Sequence, residues 1–347
     1  MLTRAYGPAL VLATATFLLF FLSLACCGLE KLAGDCRLLS LTAVESVPSD
    51  LGATAVTIGK FDCIHLGHQA LFTEVVEAAA DLNLVPTVVT FDRHPDHLLR
   101  PERAKLPILG PEQKEKLISG FGIATMLQLE FNQQLADLSP EQFVEGILVE
   151  GLQAKLVLVG QGFRFGAQGS GNFETLQELG ASKGFEVREV RPVQLDGEVV
   201  STTRVREQLD QGNVKFVNQM LGRVHEVRGV VEHGLKIGRK IGFPTANIAR
   251  DAEGYLPLDA IYAGWLVADG IRYPAAHSVG INETFQAVPR LVESHVLDET
   301  ELDLYEQVVS LEFVDFVRPA AKFDGVEALV AQIHLDLDVV RDQLGLK

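Results

Sequence analysis

Between residues 55 and 193, short β-branched apolar runs alternate with stretches that repeat apolar residues at helical spacing. Strands are expected at Ala55–Ile58, Pro86–Phe91, Thr125–Leu129, Lys155–Val159 and Glu186–Val193, with helices at Gln69–Leu84, Pro111–Ser119, Pro140–Gly151 and Phe173–Lys183. Few folds use such alternation. Each strand, followed by a helix, returns parallel to its neighbour, so the pattern predicts a parallel sheet with helices on both faces. Ligands on such a sheet gather beyond the carboxyl ends of the strands. The polar candidates fall there: His65 and His68 after the first strand, Asp92 and His94 after the second, Arg164 after the fourth, and Ser201–Arg206 after the last.

The first of these places reads VTIGKFDCIHLGHQAL, Val56–Leu71. Gly59 ends the strand and a helix pattern begins near Gly67. Two imidazoles three residues apart at the mouth of a helix share one face, where N–H groups and the helix dipole favour an anion. The place therefore suggests phosphate chemistry. In VSTTRVR, Val200–Arg206, Ser201, Thr202 and Thr203 can cap a helix and turn hydroxyls towards a phosphate, and Arg204 or Arg206 can fork onto its oxygens. The same residues equally suit an ordinary helix cap followed by a first-turn arginine.

After a helical stretch at Glu207–Leu221 the pattern changes. Alternating runs at Val227–Glu232, Gly264–Ala268, Ala275–Val279, Leu291–Val296 and Gln307–Phe316 predict a compact antiparallel barrel. One helix follows, Val326–Leu344, with Leu329, Val330, Ile333, Leu337 and Val340 on a packing face. Between the first two runs lies GRKIGFPTAN, Gly238–Asn247. Its Arg239 and Lys240 add positive charge, and Thr245 and Asn247 offer neutral oxygen ligands of the kind Mg²⁺ takes when it is shared with ATP phosphates. The spacing is not that of a Walker A loop.

A chain of 347 residues accommodates two domains, and its net charge of −16 argues against a sequence-independent nucleic-acid binder. The four cysteines, Cys26, Cys27, Cys36 and Cys63, form neither a disulfide framework nor a CxxC pattern, which points to a reducing compartment. Residues 1–35 stand apart. Ala5–Leu29 holds no charge, and Ala9–Leu24 has the length of a membrane span or signal-peptide core with Arg4 as its positive flank. Either the segment is an anchor, or it is not part of the working protein and the remainder is cytoplasmic. Membrane contact is expected only in the first case.

Three segments in this order carry a resemblance. GKFDCIHLGH, Gly59–His68, resembles the GxFDGxHxGH signature of the nucleotidyltransferase superfamily, and VSTTRVR is similar to its ISSTxxR element. VGQGFRFGAQGSG, Val159–Gly171, resembles the VGxDFRFGxxxxG segment of the prokaryotic bifunctional riboflavin kinase/FMN adenylyltransferase (FAD synthetase) family. In the second half GRKIGFPTAN resembles the GRxLGFPTAN segment of riboflavin kinase. LVESHVLD (Leu291–Asp298), LDLY (Leu302–Tyr305) and Arg318–Leu329 are similar to its later elements.

The resemblance implies an α/β chain: a Rossmann-like nucleotidyltransferase domain at 36–220, then an antiparallel β-barrel riboflavin kinase domain at 221–347. It implies phosphorylation of riboflavin to FMN and adenylylation of FMN to FAD, with ATP as co-substrate and Mg²⁺ as metal. His65 and His68 would donate to the α-phosphate, and Arg206 would hold the leaving pyrophosphate. Asp62, Gly67, Ser201, Thr202, Gly242 and Pro244 would complete the nucleotide sites. Glu293 would take the proton of the ribityl hydroxyl, Thr245 and Asn247 would hold Mg²⁺, and Arg318 and Phe323 would line the flavin site.

Four positions depart from the family pattern. Cys63 stands for a glycine in a tight turn, Arg93 for a proline, Gly162 for Asp or Asn, and Glu283 for a proline in VGINETF, Val279–Phe285. Cys63 and Gly162 raise the alternative of a riboflavin kinase with a weakened adenylyltransferase. The apolar leader raises that of a membrane-tethered flavin- or nucleotide-binding module without turnover.

Overall fold

A computed structural model describes residues 38–234, 237–280, 290–299 and 302–346. The leader and the stretch around Glu283 lie outside the described residues. Six strands form one sheet: β1 (Leu39–Leu41), β2 (Thr54–Ile58), β3 (Val85–Phe91), β4 (Thr125–Leu129), β5 (Ala154–Gly160) and β6 (Glu186–Val190). They are ordered β1-β4-β3-β2-β5-β6, and every neighbouring pair is parallel. All five residues of β2 are buried, as a strand covered on both faces requires. Chain order runs one way from β2 to β3 and β4 and the other way to β5 and β6. The switch point therefore lies between β2 and β5, which is where an open α/β sheet leaves its ligand crevice.

Helix α1 (Leu66–Leu82) leads out of β2, and Asn83 ends it in the left-handed region at φ 53°. Helices α2 (Pro111–Ser119) and α3 (Phe173–Lys183) fall at the predicted bounds, α3 between an Asn172 cap and a left-handed Gly184. The expected single helix at Glu207–Leu221 is instead two, α4 (Thr202–Asp210) and α5 (Val214–Leu221). Gly212 at φ 79° breaks the run between them.

The second half is a closed antiparallel barrel. Its strands are β9 (His225–Glu232), β10 (Ala246–Ile248), β11 (Ala260–Ala268), β12 (Ile271–Gly280), β13 (Leu291–Val296) and β14 (Val308–Pro319), after a small hairpin of β7 (Gln194–Leu195) and β8 (Glu198–Val199). Sequence reading missed β10, a three-residue strand inside the GRKIGFPTAN stretch. It pairs with β9 on one side and β13 on the other, and so closes the barrel. Helix α6 (Val326–Gln343) packs Leu337 and Val340 against Ala263 and Leu297. Arg318 anchors it, donating to both carboxylate oxygens of the buried Asp336.

The apolar cluster of the barrel does not stop at residue 221. Leu266, Leu311 and Phe313 belong to one buried cluster with Val205, Leu209, Val217 and Met220 of α4 and α5, and with Cys63.

Two fully buried barrel histidines carry a pH consequence. His277 Nε2 donates to the Glu312 carbonyl at 3.1 Å, and its Nδ1 accepts from the Ser294 hydroxyl at 3.0 Å. His225 Nε2 donates to the Tyr255 carbonyl at 2.8 Å. Burial pushes both imidazoles down to about 4. The native state therefore binds fewer protons than the unfolded chain between pH 4 and about 6.5, so stability falls as pH drops through that window. Urea unfolding at pH 7 and pH 5 is expected to show a loss of about 2 kcal/mol per histidine at pH 5, above the carboxylate range. Equal stability at the two pH values would contradict the buried, neutral assignment.

Candidate active sites

At the switch point, His65 is the N-cap of α1. Its Nδ1 accepts from the backbone N–H of Gly67 at 3.1 Å and of His68 at 3.3 Å. With Nδ1 an acceptor, the neutral ring carries its hydrogen on Nε2 and can donate it. His68 stacks on this ring, centroids 3.7 Å apart, and its Nδ1 is buried without a partner. Burial lowers His65 to about 4. Burial, then the neighbouring His65 and cations, takes His68 well below its ordinary range. Both are thus neutral donors at pH 7. Gly67 suits this packing, since a Cβ there would press on the His65 ring at 3.0 Å.

Cys63, His65 and His68 place their donor atoms within 4.8 Å of one another. They nevertheless make a poor metal centre. A metal-bound imidazole needs an N–H on its other nitrogen, and His65 Nδ1 already faces two N–H donors.

The VSTTRVR segment lies against this turn, so the two motifs meet as predicted, but its side chains are engaged internally. Ser201 caps α4, its Oγ accepting from Arg204 N–H at 3.2 Å. The Thr202 hydroxyl contacts Cys63 Sγ at 3.5 Å. Arg204 bonds the Leu195 carbonyl and lies over Phe216. Arg206, implied as a free pyrophosphate holder, is buried. It donates to Asp62 at 2.8 Å and to the Leu106 carbonyl at 2.6 Å, and lies over the Tyr255 ring. Asp62 spends its other oxygen on the Ile108 N–H at 2.9 Å. In this state the pair ties the loop before α2 to the signature turn.

Two cations near the histidine pair were passed over by sequence reading. Lys60 Nζ lies 2.7 Å from His94 Nε2, and Lys114 Nζ donates to the Lys60 and Phe91 carbonyls at 3.3 and 3.4 Å. Burial pulls both ammonium groups below their ordinary range, opposed at Lys60 by Asp96 and then Asp62, and at Lys114 by Asp62 and then Asp92. A Lys two residues before a candidate Asp was the available signal for Lys60. Lys114 sits on a helix 54 residues later and had none.

Two departures from the family pattern fit the local backbone. The strain expected at Cys63 falls elsewhere: the left-handed residues of the turn are Phe61 at φ 46° and Ile64 at φ 44°. Cys63 is instead fully buried in the shared apolar cluster, and burial pushes its thiol up to about 12. Gly162 has φ 75° with open space where a Cβ would stand. That is the backbone region in which Asp and Asn are the best tolerated side-chain residues, so glycine keeps the turn and loses only the polar group. Arg93 is exposed and pairs with Asp92 at 2.6 Å.

In the barrel, Thr245, Asn247 and Glu293 come together. Asn247 of β10 is the cross-strand partner of Glu293 of β13, and Thr245 Oγ1 donates to Glu293 Oε2 at 3.3 Å. A hollow lined by Arg239, Pro244, Thr245, Ala246, Ser294 and Tyr305 opens beside them. His295 Nδ1 donates to the Pro244 carbonyl at 2.7 Å, and Gly242 turns the chain before it at φ 91°. The donor set is all oxygen and amide, which fits a hard cation such as Mg²⁺. Arg318 and Phe323 do meet, the guanidinium 5.5 Å over the ring, but the guanidinium is committed to Asp336.

A parallel sheet with an imidazole-capped helix at its switch point is joined to a closed barrel with a Thr–Asn–Glu cluster, and the families that match these two halves are both transferases. The FAD synthetase family model matches residues 47–204, and the riboflavin kinase model matches residues 221–344. A bifunctional riboflavin kinase/FMN adenylyltransferase of Pseudomonas fluorescens is 35% identical over 295 residues, covering 85% of this chain and 94% of that one. The protein of that name from Listeria monocytogenes is 33% identical, covering 81% and 89%. A solved Streptococcus pneumoniae structure, described as a macrolide-efflux protein, superposes with a TM-score of 0.79 at 31% identity over 88% of this chain and 98% of that one. The chain belongs to the bifunctional riboflavin kinase/FMN adenylyltransferase family. No helix among the described residues is long and apolar enough to cross a membrane.

Proposed function

We propose that this protein phosphorylates riboflavin to FMN and then adenylylates FMN to FAD, using ATP in both steps. The observation that carries the reading is the meeting of Thr245, Asn247 and Glu293 across β10 and β13, with a second, separate set of donors at the switch point of the sheet. In the barrel, Glu293 accepts the proton of the ribityl 5′-hydroxyl as its oxygen attacks the γ-phosphorus, and ADP leaves. Thr245 and Asn247 would hold Mg²⁺, which spreads the charge of the transferring group when bound. Gly242 and Pro244 shape the wall on which the nucleotide rests.

At the sheet, an FMN phosphate oxygen attacks the α-phosphorus of ATP and pyrophosphate leaves. His65 donates from Nε2 to the α-phosphate, His68 supports it, and Lys60 and Lys114 meet the charge that grows on the leaving group. Asp62, Gly67, Ser201, Thr202 and Arg206 hold the turn in shape. Arg318 and Phe323 border the flavin end of the kinase site. We place the adenylyltransferase part within 36–220 and the kinase part within 221–347.

Residues 36–347 incubated with riboflavin, ATP and Mg²⁺, with flavins resolved by chromatography, are expected to yield FMN first and FAD later. Unchanged riboflavin would sink the reading, and FMN that never becomes FAD would reduce it to a kinase.

A further inference from the structure

We propose that Arg223 is a positioning residue for adenylyl transfer: from the entrance of the barrel it clamps the signature turn at the other active site. The inference rests on the adenylyltransferase reading above. Arg223 lies between α5 and β9, within the stretch matched by the riboflavin kinase model and beyond the one matched by the FAD synthetase model. Yet its guanidinium reaches back about 160 residues in the chain. Nη2 donates to the Cys63 carbonyl at 2.8 Å and Nη1 to the Ile64 carbonyl at 2.9 Å.

Those two carbonyls belong to the peptide planes on either side of Ile64. Ile64 is β-branched, fully buried and held at φ 44°, where such a residue is an outlier. A conformation of this kind persists only where surrounding bonds over-determine it. A planar guanidinium fork fixes two acceptors at once in a way an ammonium does not. By holding both planes, Arg223 fixes the direction in which the chain enters His65, whose ring caps α1 through Nδ1 and so keeps its hydrogen on Nε2. Gln69 reinforces the same point, its amide donating to the Ile64 carbonyl at 2.9 Å and the Leu221 carbonyl at 2.6 Å. The barrel's first residues are thereby built into the geometry of the adenylyl-transfer site, while Glu293, Thr245 and Asn247 take no part.

The test uses the full two-domain protein and measures riboflavin→FMN and FMN→FAD separately. Arg223→Met is expected to lower kcat of FMN→FAD at least tenfold while riboflavin phosphorylation stays within twofold of the parent. Added guanidinium at millimolar concentration is expected to raise the adenylyl-transfer rate of Arg223→Ala and not that of the parent. Arg223→Lys keeps the charge but replaces the planar fork with a single ammonium. It is expected to lose at least threefold in kcat of the second step, with the first unchanged.

Parental FMN→FAD rates in Arg223→Met or Arg223→Lys would overturn the proposal. So would a parallel fall of both activities, which a general loss of folding produces. A parent that forms no FAD overturns the activity reading itself, and is told apart because it precedes any substitution.

Discussion

Glu293→Ala is expected to lower riboflavin phosphorylation by about 10²–10⁴-fold, the range a positioned general base contributes. Conversion of supplied FMN to FAD should remain within twofold of the parent. The separation follows from position: Glu293 lies on β13, paired to Asn247 of β10 and bonded by Thr245, whereas the two imidazoles lie on the β2–α1 turn. The fold should tolerate the change, because Glu293 is only partly buried and its strand is held by β10 and β12 on either side. Rates of both half-reactions on the purified variant check this. Phosphorylation persisting near the parental rate would remove Glu293 from the role of base. Joint loss of both steps in a folded variant would contradict two independent sites.

Asp62→Ala is expected to cost about 3–5 kcal/mol of stability, because it strands a buried guanidinium. Arg206 is 7% exposed and Asp62 15% at the side chain, and their contact is 2.8 Å. The same carboxylate also accepts the Ile108 N–H, so the change frees the loop that leads into α2 and its Lys114. FAD formation should fall with it, whereas the Thr245–Asn247–Glu293 cluster keeps its contacts. Denaturant unfolding followed in the parent and the variant measures the first effect. A midpoint equivalent to less than about 1 kcal/mol of change, the size of a surface pair, would show that water still reaches the contact.

The parallel sheet was legible because each strand and helix announced itself by its own period. The bounds of α2 and α3 coincide with Pro111 and Asn172, residues whose local chemistry starts a helix. The barrel was legible as a class but not in full. β10 is three residues long and sits inside a motif whose Gly and Pro read as a turn, so only pairing with β9 and β13 makes it a strand. The break at Gly212–Asn213 was hidden by a helical pattern continuous on both sides of it.

At the candidate site the motif histidines could be proposed from sequence, whereas Lys60 within the same motif and the residues that tertiary structure delivers were passed over. Lys114 arrives on α2, and Arg223 from beyond the helix pair. Arg206 shows the converse. Its chemistry suits a phosphate, yet a partner 144 residues away, Asp62, claims it in this state. No local pattern could reveal that contact, because it depends on α4 docking against the β2–α1 turn. Cys63 was read as a strained substitution because the turn's left-handed positions cannot be told apart from spacing alone. They fall on Phe61 and Ile64.

One chain is expected to break two different bonds of ATP at two sites. The most direct measurement supplies riboflavin, Mg²⁺ and ATP labelled at either the α- or the γ-phosphorus, and follows label into separated flavins. The γ-label is expected in FMN and carried on into FAD. The α-label is expected in FAD alone, with unlabelled pyrophosphate released alongside it. Label from the α-phosphorus in FMN, or FAD that carries no α-label, would contradict the account.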